Sequence, residues 1–301
     1  MKIRSDGFAL VTMSVLLLGA CASAAPGPSP SVSPGGSVEP SPAPSETADF
    51  PSGFYLRAWY SQALPPDATF SWGPLLTIVD GTQLDGNVAV PAIYPGPLMI
   101  VPTARWISDT GTGAIIDEAG RLGVLGEQTD FTGGQAMPGQ RLGQIEIVVD
   151  GVRRTLTGDP DLSVTCDGAT CTAEPGSPEA FAAFWQQLST LQAWLEGELG
   201  AIVQYEPQRV ALLLTTPSPA EPGLSPAPVA WPFGTPLAEA GVPYPTGAGE
   251  RCVTLEGDAL AAMMPVLRGG NQLTVLVDET GDARSAVVRV LMPGEDSPCD
   301  A

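Results

Sequence analysis

Carboxylates are the side chains that occur in this sequence in sufficient number for acid–base chemistry. The 301 residues include 33 Asp and Glu against 13 Lys and Arg, and His is absent. Two carboxylates can cleave a glycosidic bond when one donates a proton and the other attacks or activates water. Without His, a Ser-His-Asp triad, a Cys-His dyad and a histidine-ligated zinc ion are impossible. No carboxylate pair stands out by its spacing, so we assign no catalytic residue.

Lysine-dependent and nucleotide-dependent chemistry is excluded as well. Lys2 is the only lysine, and it lies in a segment that we expect to be removed, so a Ser-x-x-Lys nucleophile is impossible. The chain contains neither a P-loop nor a complete Gly-x-Gly-x-x-Gly motif. The sequence therefore predicts no cofactor.

Three aspartates lie close together in the sequence, Asp159, Asp161 and Asp167. Aspartates at short intervals can coordinate calcium, but the spacing of an EF-hand loop and its terminal Glu are missing. Asp-Gly pairs such as Asp167-Gly168 are typical of turns. We therefore expect turns here and predict no metal site.

Three aromatic residues, Tyr94, Trp231 and Tyr244, lie among prolines in segments that read as loops. Exposed rings in such loops could stack on a sugar or contact a protein partner. The alternative is that the rings pack over proline and close the loops. Both interpretations stay open, and the three residues are our candidates for ligand contact.

Four cysteines follow Cys21, and an even number in an exported chain indicates disulfides rather than metal thiolates. Cys166 and Cys171 flank Asp167-Gly168, a turn that would bring their sulfur atoms together. This local pair leaves Cys252 to bond with Cys299, which would pin the carboxyl-terminal tail to the rest of the fold.

The amino terminus has the features of an export signal. Lys2 and Arg4 precede an apolar run from Phe8 to Leu18, which is too short to span a bilayer as a helix. Leu18-Gly19-Ala20-Cys21 resembles the lipobox of bacterial lipoproteins. The resemblance implies cleavage after residue 20, acylation of Cys21 and anchoring on the extracytoplasmic face of the cell membrane; the alternative is an ordinary signal peptide cut nearby.

Residues 21–49 are predicted to be the acylated Cys and a disordered tether. The segment is almost entirely Ala, Pro, Ser and Gly, with Glu39, Glu46 and Asp49 as its charges. Such a composition lacks the apolar side chains that could offset the entropy of ordering. A richness in Ala, Pro, Gly and Arg with almost no Lys is typical of GC-rich genomes and favours an actinobacterial source.

The remainder of the chain, residues 50–301, predicts an α+β fold of antiparallel sheets with packed helices. We expect one domain over 50–205 and another over 206–301, or one continuous domain, because strand, helix and hairpin recur in both halves. In the first half, strands are expected at 54–60, 75–79, 87–93, 145–149 and 152–157, and helices at 114–125 and 178–199. In the second half, strands are expected at 210–215, 251–255, 273–277 and 286–291, a helix at 258–267, and a proline-rich loop at 217–228.

Several phrases spread over the mature chain resemble those of actinobacterial lipoproteins to which no activity is assigned. These phrases are Val79-Asp80-Gly81, Ile93-Tyr94-Pro95-Gly96-Pro97-Leu98, Arg251-Cys252-Val253-Thr254-Leu255-Glu256-Gly257, Asn271-Gln272-Leu273 and Pro298-Cys299. The resemblance implies the location and overall build of the protein and no activity.

Two classes of function remain. The first is a membrane-anchored extracytoplasmic lipoprotein with a non-catalytic binding or structural role, whose partner is a wall component or an envelope protein. The second is a carboxylate-dependent enzyme acting on cell-wall glycans. We favour the first, because the aspartates resemble turns and no nucleophile–base pair is visible. A net charge of −20 disfavours binding to nucleic acid.

Overall fold

The structure is a computed structural model that describes residues 53–61, 69–86, 88, 92–134, 140–167, 170–218, 223–224, 227–245 and 249–300. All of them belong to one compact unit. The predicted signal peptide, Cys21 and the tether lie outside these residues, as does most of the strand expected at 87–93. The fold is mixed α+β with mostly antiparallel sheets, which confirms the predicted class.

The first half builds a sheet of eight strands in the order β10-β4-β3-β2-β1-β6-β7-β5, in which only β5 and β7 pair in parallel. The strands are β1 Tyr55–Ser61, β2 Leu76–Val79, β3 Thr82–Asp85, β4 Thr103–Trp106, β5 Asp130–Phe131, β6 Leu142–Val149, β7 Val152–Gly158 and β10 Val203–Gln204. A separate hairpin comprises β8 Thr165–Asp167 and β9 Thr170–Thr172. The predicted hairpin between β6 and β7 is confirmed. Its Asp150-Gly151 turn has φ angles of 51° and 75°, the positive pair of a type I′ turn.

Helices cover one face of this first sheet. They are α1 Asp109–Arg121, α2 Pro178–Ser189 and α3 Leu191–Trp194. The backbone N–H of Ala180 donates to the Ser177 hydroxyl, which begins α2 as predicted. The helix ends earlier than expected, because Thr190 leaves helical geometry and its hydroxyl donates to the Gln186 carbonyl 2.9 Å away. The chain resumes as α3 after this break.

The core of the first half lies between these helices and the sheet. Phe181, Phe184 and Trp185 of α2 pack on the apolar residues of β1, β6 and β7. Gly158 in β7 permits this close packing, since a Cβ there would lie 2.5 Å from Phe181 Cδ1.

The second half builds a sheet of six strands in the order β12-β15-β16-β11-β14-β13. The elements are β11 Arg209–Thr215, β12 Ala227–Ala230, β13 Val242–Pro243, β14 Arg251–Glu256, α4 Gly257–Gly269, β15 Thr274–Val277 and β16 Ala283–Leu291. Leu260, Met263 and Leu267 of α4 pack on one face of this sheet. The helix continues past Pro265 for one more turn.

One element corrects the sequence prediction. Ala227–Ala230 overlaps the expected proline-rich loop but forms an edge strand, β12, parallel to β15. Pro228 is tolerated there because an edge strand has one side free of ladder hydrogen bonds.

A carboxyl-terminal segment, residues 292–299, joins the two halves. The Thr77 hydroxyl donates to the Met292 sulfur 3.1 Å away, and Met292 packs with Leu84 and Ala104 of the first sheet. The end of the same segment is bonded to the second sheet, since Cys299 forms a disulfide with Cys252. Cys166 is bonded to Cys171. Both predicted disulfide pairings are therefore confirmed.

A second junction between the two halves is made by backbone hydrogen bonds. The backbone N–H of Leu98 donates to the Gly270 carbonyl, and the N–H of Gln272 donates to the Gly96 carbonyl. The segment Ile93–Leu98 thus connects the first half to the turn before β15. The space between the two junctions forms the candidate site.

Candidate functional site

A cleft of about 980 Å³ lies between the two halves. Its floor is the exposed part of one face of the second sheet, where Val275, Ser285 and Val287 alternate along β15 and β16 and point to the same side. The walls come from the end of β1, the loop at 71–75 and the segment at 94–102. We refer to this space as the cleft.

Large apolar side chains are exposed along the cleft. Trp72, Tyr94, Ile100 and Val287 all line it, and their exposed fractions are 39, 58, 48 and 37 %. Exposed apolar side chains are common singly, but a cluster of them around a concave surface is typical of an interaction site. The cleft therefore presents an apolar surface that the residues described by the structure leave exposed.

The loop that carries Trp72 is held firmly at its base. Phe70 is fully buried and contacts Tyr244 edge to face, with 5.9 Å between ring centroids. The Phe70 carbonyl accepts a hydrogen bond of 3.1 Å from Arg289 Nη1. The Trp72 N–H donates to the Thr69 carbonyl. Trp72 is thus an exposed ring on an anchored turn, which is the arrangement expected of a preorganised contact residue.

Arg141 stands at one wall of the cleft. Its guanidinium carbon lies 4.0 Å from the centre of the Tyr60 ring, a cation–π geometry. The Tyr60 ring in turn contacts Trp185 of α2, with 5.0 Å between centroids. Arg141 Nη2 lies 3.4 Å from Asp161 Oδ2, and both side chains are exposed, at 43 and 65 %. We call Arg141 and Asp161 the rim pair.

Arg289 lines the cleft and forms an ion pair with Glu295, and we call these two residues the floor pair. Their side chains are exposed at only 14 and 4 %, and Arg289 Nη2 donates to Glu295 Oε1. The Met292 N–H donates to the other Glu295 oxygen at 2.9 Å. Burial raises the pKa of Glu295, and the charge of Arg289 acts in the opposite direction. The floor pair ties β16 to the carboxyl-terminal segment.

The charges of the cleft differ in sign from those of the whole protein. Arg141 and Arg289 are the charged residues among its described lining, which includes no Asp or Glu, although the chain has a net charge of −20.

The enzymatic alternative and a metal site each require a particular arrangement of acidic side chains. A glycosidase that uses two carboxylates needs them roughly 5–10 Å apart across its substrate. Within the described ranges, no group of three or more Asp, Glu or Cys side chains is arranged to hold a metal ion.

The three aromatic candidates from the sequence have different environments. Tyr94 lines the cleft and is exposed, so its predicted role in ligand contact is retained as a prediction. Trp231 is buried, stacks edge to face on Phe233 and donates from Nε1 to the Thr235 carbonyl. Tyr244 is buried against Phe70. For these two rings the structure therefore shows the packed alternative and not the exposed one, and both are enclosed by the fold.

The three aspartates considered for calcium act in local structure. Asp159 accepts hydrogen bonds from the Asp161 backbone N–H and from Gln140 Nε2. Asp161 pairs with Arg141, and Asp167 ends strand β8 beside Cys166.

Among the described residues, no helix reaches the length and apolarity needed to cross a membrane.

Sequence reasoning did not identify Tyr60, Trp72 or Arg141 as site residues. Tyr60 was expected only as part of a strand, and Trp72 precedes Gly73-Pro74 in an unassigned stretch. The one available signal was that Trp72 occurs next to turn residues, as Tyr94 does.

No protein-family model, curated protein or solved structure shows significant similarity to this chain.

Proposed function

We propose that this protein is a lipid-anchored binding protein of the cell envelope, and that the cleft between its two sheets takes up a ligand without chemical change. The observation that carries the proposal is the cleft itself, where Trp72, Tyr94, Ile100 and Val287 stay exposed on an anchored framework. Keeping apolar surface in water costs about 25 cal/mol per Å², so a ligand that covers it gains that free energy.

The covalent structure supports a location outside the cytoplasm. Two disulfides, Cys166–Cys171 and Cys252–Cys299, persist in oxidising compartments and are rare in reducing ones. The lipobox-like sequence before Cys21 supports attachment to the extracytoplasmic face of the membrane. We propose that residues 21–49 hold the folded part away from the bilayer, where the cleft meets wall components or envelope proteins.

The sign of the lining charges supports binding over the alternative of glycan cleavage. Both charged side chains of the described lining are arginines, and an arginine stays protonated at neutral pH, so it does not act as a general acid or base. The aromatic and aliphatic lining provides contact area, and Gln272, Ser285 and Thr215 provide a few polar groups that can orient a ligand.

The proposal is tested by photo-crosslinking in growing cells. A benzophenone-bearing phenylalanine analogue replaces Trp72 in the cleft, and in a matched control it replaces Trp106, which is exposed at 58 % on β4 and does not line the cleft. We expect an envelope component to be captured from position 72 and not from position 106. Equal capture from both positions, or none from position 72, would contradict a binding role for the cleft.

Catalysis is tested in vitro with the exported protein. When the protein is incubated with purified peptidoglycan, we expect no sugar to be released. Release of sugar that disappears when one Asp or Glu is replaced would favour the enzymatic alternative.

The lipid anchor is tested by labelling cells with a radioactive fatty acid. We expect label in the natural protein and none in the Cys21→Ser variant.

A further inference from the structure

We infer that the ligand of the cleft is an anionic amphiphile, with a carboxylate held by Arg141 and an apolar chain lying over Trp72, Ile100 and Val287. The inference rests on the proposed function of the cleft as a binding site and names the chemistry of its ligand. Three features of the cleft support this inference: the positive charge of its lining, the contact between Arg141 and Tyr60, and the apolar character of the other lining side chains.

Charge complementarity selects an anion. The protein carries 33 acidic and 13 basic side chains, yet the described lining of the cleft contains arginines and no carboxylate. An anion is repelled by most of this surface and attracted to the cleft. A cation would instead be distributed over the acidic exterior. The cleft therefore favours an anionic ligand over a cationic one.

Arg141 has the geometry of a carboxylate-binding side chain. Its guanidinium carbon lies 4.0 Å from the centre of the Tyr60 ring, and this cation–π contact does not use up the five N–H donors of the guanidinium. A planar guanidinium binds carboxylate through two parallel hydrogen bonds. Since the Tyr60 ring is itself packed on Trp185, the position of Arg141 is supported by the core.

The existing partner of Arg141 can be replaced. Asp161 lies 3.4 Å from Arg141 Nη2 with 65 % of its side chain exposed, and exposed ion pairs of this kind contribute little free energy. A ligand carboxylate can instead bind the same guanidinium through two parallel hydrogen bonds, which are stronger than this single contact. Arg289 is unsuited to this role because it already binds Glu295 and the Phe70 carbonyl.

The remainder of the lining fits a hydrocarbon chain. Trp72, Ile100, Val275 and Val287 contribute apolar side chains to the lining from the loop, the wall and the floor. The volume of about 980 Å³ lies at the upper end of the range of about 300–1,000 Å³ that is typical of small-molecule sites. A single-chain amphiphile satisfies both the apolar surface and the cationic wall.

The test measures displacement of a fluorescent long-chain fatty acid from the chain that begins at residue 21. This chain carries Cys21→Ser, so that no acyl group of the protein competes for the cleft. Laurate and 1-dodecanol are the competitors, because they share an alkyl chain and differ in the acidic head. We expect laurate to bind at least about tenfold more tightly than dodecanol, since hydrogen bonds to charged groups contribute about 1.5–3 kcal/mol.

Four variants test whether Arg141 binds the carboxylate of the ligand and not its alkyl group. Arg141→Gln should weaken laurate about tenfold and leave dodecanol unchanged. Asp161→Asn should tighten laurate binding about threefold, because it removes the competing carboxylate. Arg268→Gln and Glu206→Gln, which alter a comparably exposed ion pair outside the cleft, should change neither affinity. A gain of affinity in Asp161→Asn cannot come from misfolding.

The inference is wrong if laurate and dodecanol bind equally, if laurate does not bind, or if Arg141→Gln behaves like Arg268→Gln. If one of these results is found while position 72 still captures a component in cells, the cleft remains a binding site, but its ligand is not an anionic amphiphile. Failure of both capture and laurate binding would overturn the proposed function as well. Trp72→Ala should weaken laurate and dodecanol to the same extent, and the near-ultraviolet circular dichroism of each variant reports whether it is folded.

Discussion

The floor pair and the rim pair are each an arginine beside a carboxylate, but they lie in different environments. Arg289 and Glu295 are nearly enclosed. Arg289 also donates to the Phe70 carbonyl of another segment, and Glu295 accepts from the Met292 N–H of its own segment. Arg141 and Asp161 are largely exposed and lie 3.4 Å apart. Because screening by water weakens an exposed pair and burial makes a lost partner costly, we assign the floor pair to the fold and the rim pair to binding.

Removing one member of the floor pair should have the largest effect on stability. Glu295→Ala leaves the Arg289 guanidinium enclosed without a counter-charge, and it leaves the Met292 N–H without its acceptor. We expect the free energy of unfolding to fall by about 3–5 kcal/mol. Urea denaturation measures the change. Asp161→Ala, the matched change in the rim pair, should cost no more than about 0.5 kcal/mol, and similar losses in both variants would contradict the assignment.

The two disulfides allow a second comparison of the same kind. Cys252–Cys299 spans 47 residues and fastens the segment that carries Glu295, whereas Cys166–Cys171 spans 5 residues at the β8–β9 hairpin. Loop entropy predicts a loss of about 4 kcal/mol for Cys252→Ser with Cys299→Ser and about 2 kcal/mol for Cys166→Ser with Cys171→Ser. Denaturation of the two double variants measures both values. A larger loss from the short bridge would show that the carboxyl-terminal segment is held without its disulfide.

The contact between the carboxyl-terminal segment and the first sheet can be tested at high pH, where the phenol of Tyr55 ionises. The Tyr55 hydroxyl donates to the Pro293 carbonyl, and burial raises the pKa of Tyr55 to about 12. A raised pKa means that the fold favours the neutral phenol. Its contribution to stability is therefore complete below pH of about 10 and is lost as the pH rises through 12.

Absorbance at 295 nm during alkaline titration follows phenolate formation, and denaturation at successive pH values follows stability. Burial raises the pKa of Tyr205 as well, so the natural protein is compared with Tyr55→Phe. We expect the variant to lack one of the tyrosines that ionise late, and to lose less stability between pH 10 and 12 than the natural protein. Ionisation of every tyrosine near pH 10 in the folded protein would show that Tyr55 is not enclosed by the segment.

A small effect on stability is expected at the cleft wall. Trp72 is exposed on a loop whose anchor is Phe70, so Trp72→Ala should change the free energy of unfolding by less than about 1 kcal/mol. Trp231→Ala, which removes a ring from the second core, should cost about 3–5 kcal/mol. Thermal unfolding of both variants measures the difference. Comparable losses would mean that Trp72 serves the fold and not a ligand.

Local sequence signals predicted the elements that depend on neighbouring residues. Ser177 begins α2 because its hydroxyl accepts from an N–H three residues ahead, and Asp150-Gly151 makes the β6–β7 turn because these residue types tolerate positive φ. Such preferences act over a few residues and are visible in the sequence. Strand β12 was missed because its partner, β15, lies 47 positions further along, as Ala227 pairs with Thr274.

The candidate site could be predicted only in small part for the same reason. Tyr94 was identified from its loop sequence, and it does line the cleft. The residues Tyr60, Trp72 and Arg141 come from separate parts of the first half, and Val275 and Val287 come from the second sheet. No local pattern records that these residues meet, because their approach depends on the contacts at residues 96–98 and 292–299.

The sequence by itself determined the covalent and local features of this protein: the lipobox-like signal, the spacing of the four cysteines, the absence of His and the hairpin and helix starts. Tertiary structure decided which of three similar aromatic residues remain accessible. Tyr94, Trp231 and Tyr244 all lie among prolines, yet Phe233 covers Trp231 and Phe70 covers Tyr244, whereas Tyr94 faces the cleft. The physical reason is that exposure is set by whatever packs against a side chain, and those neighbours are distant in sequence.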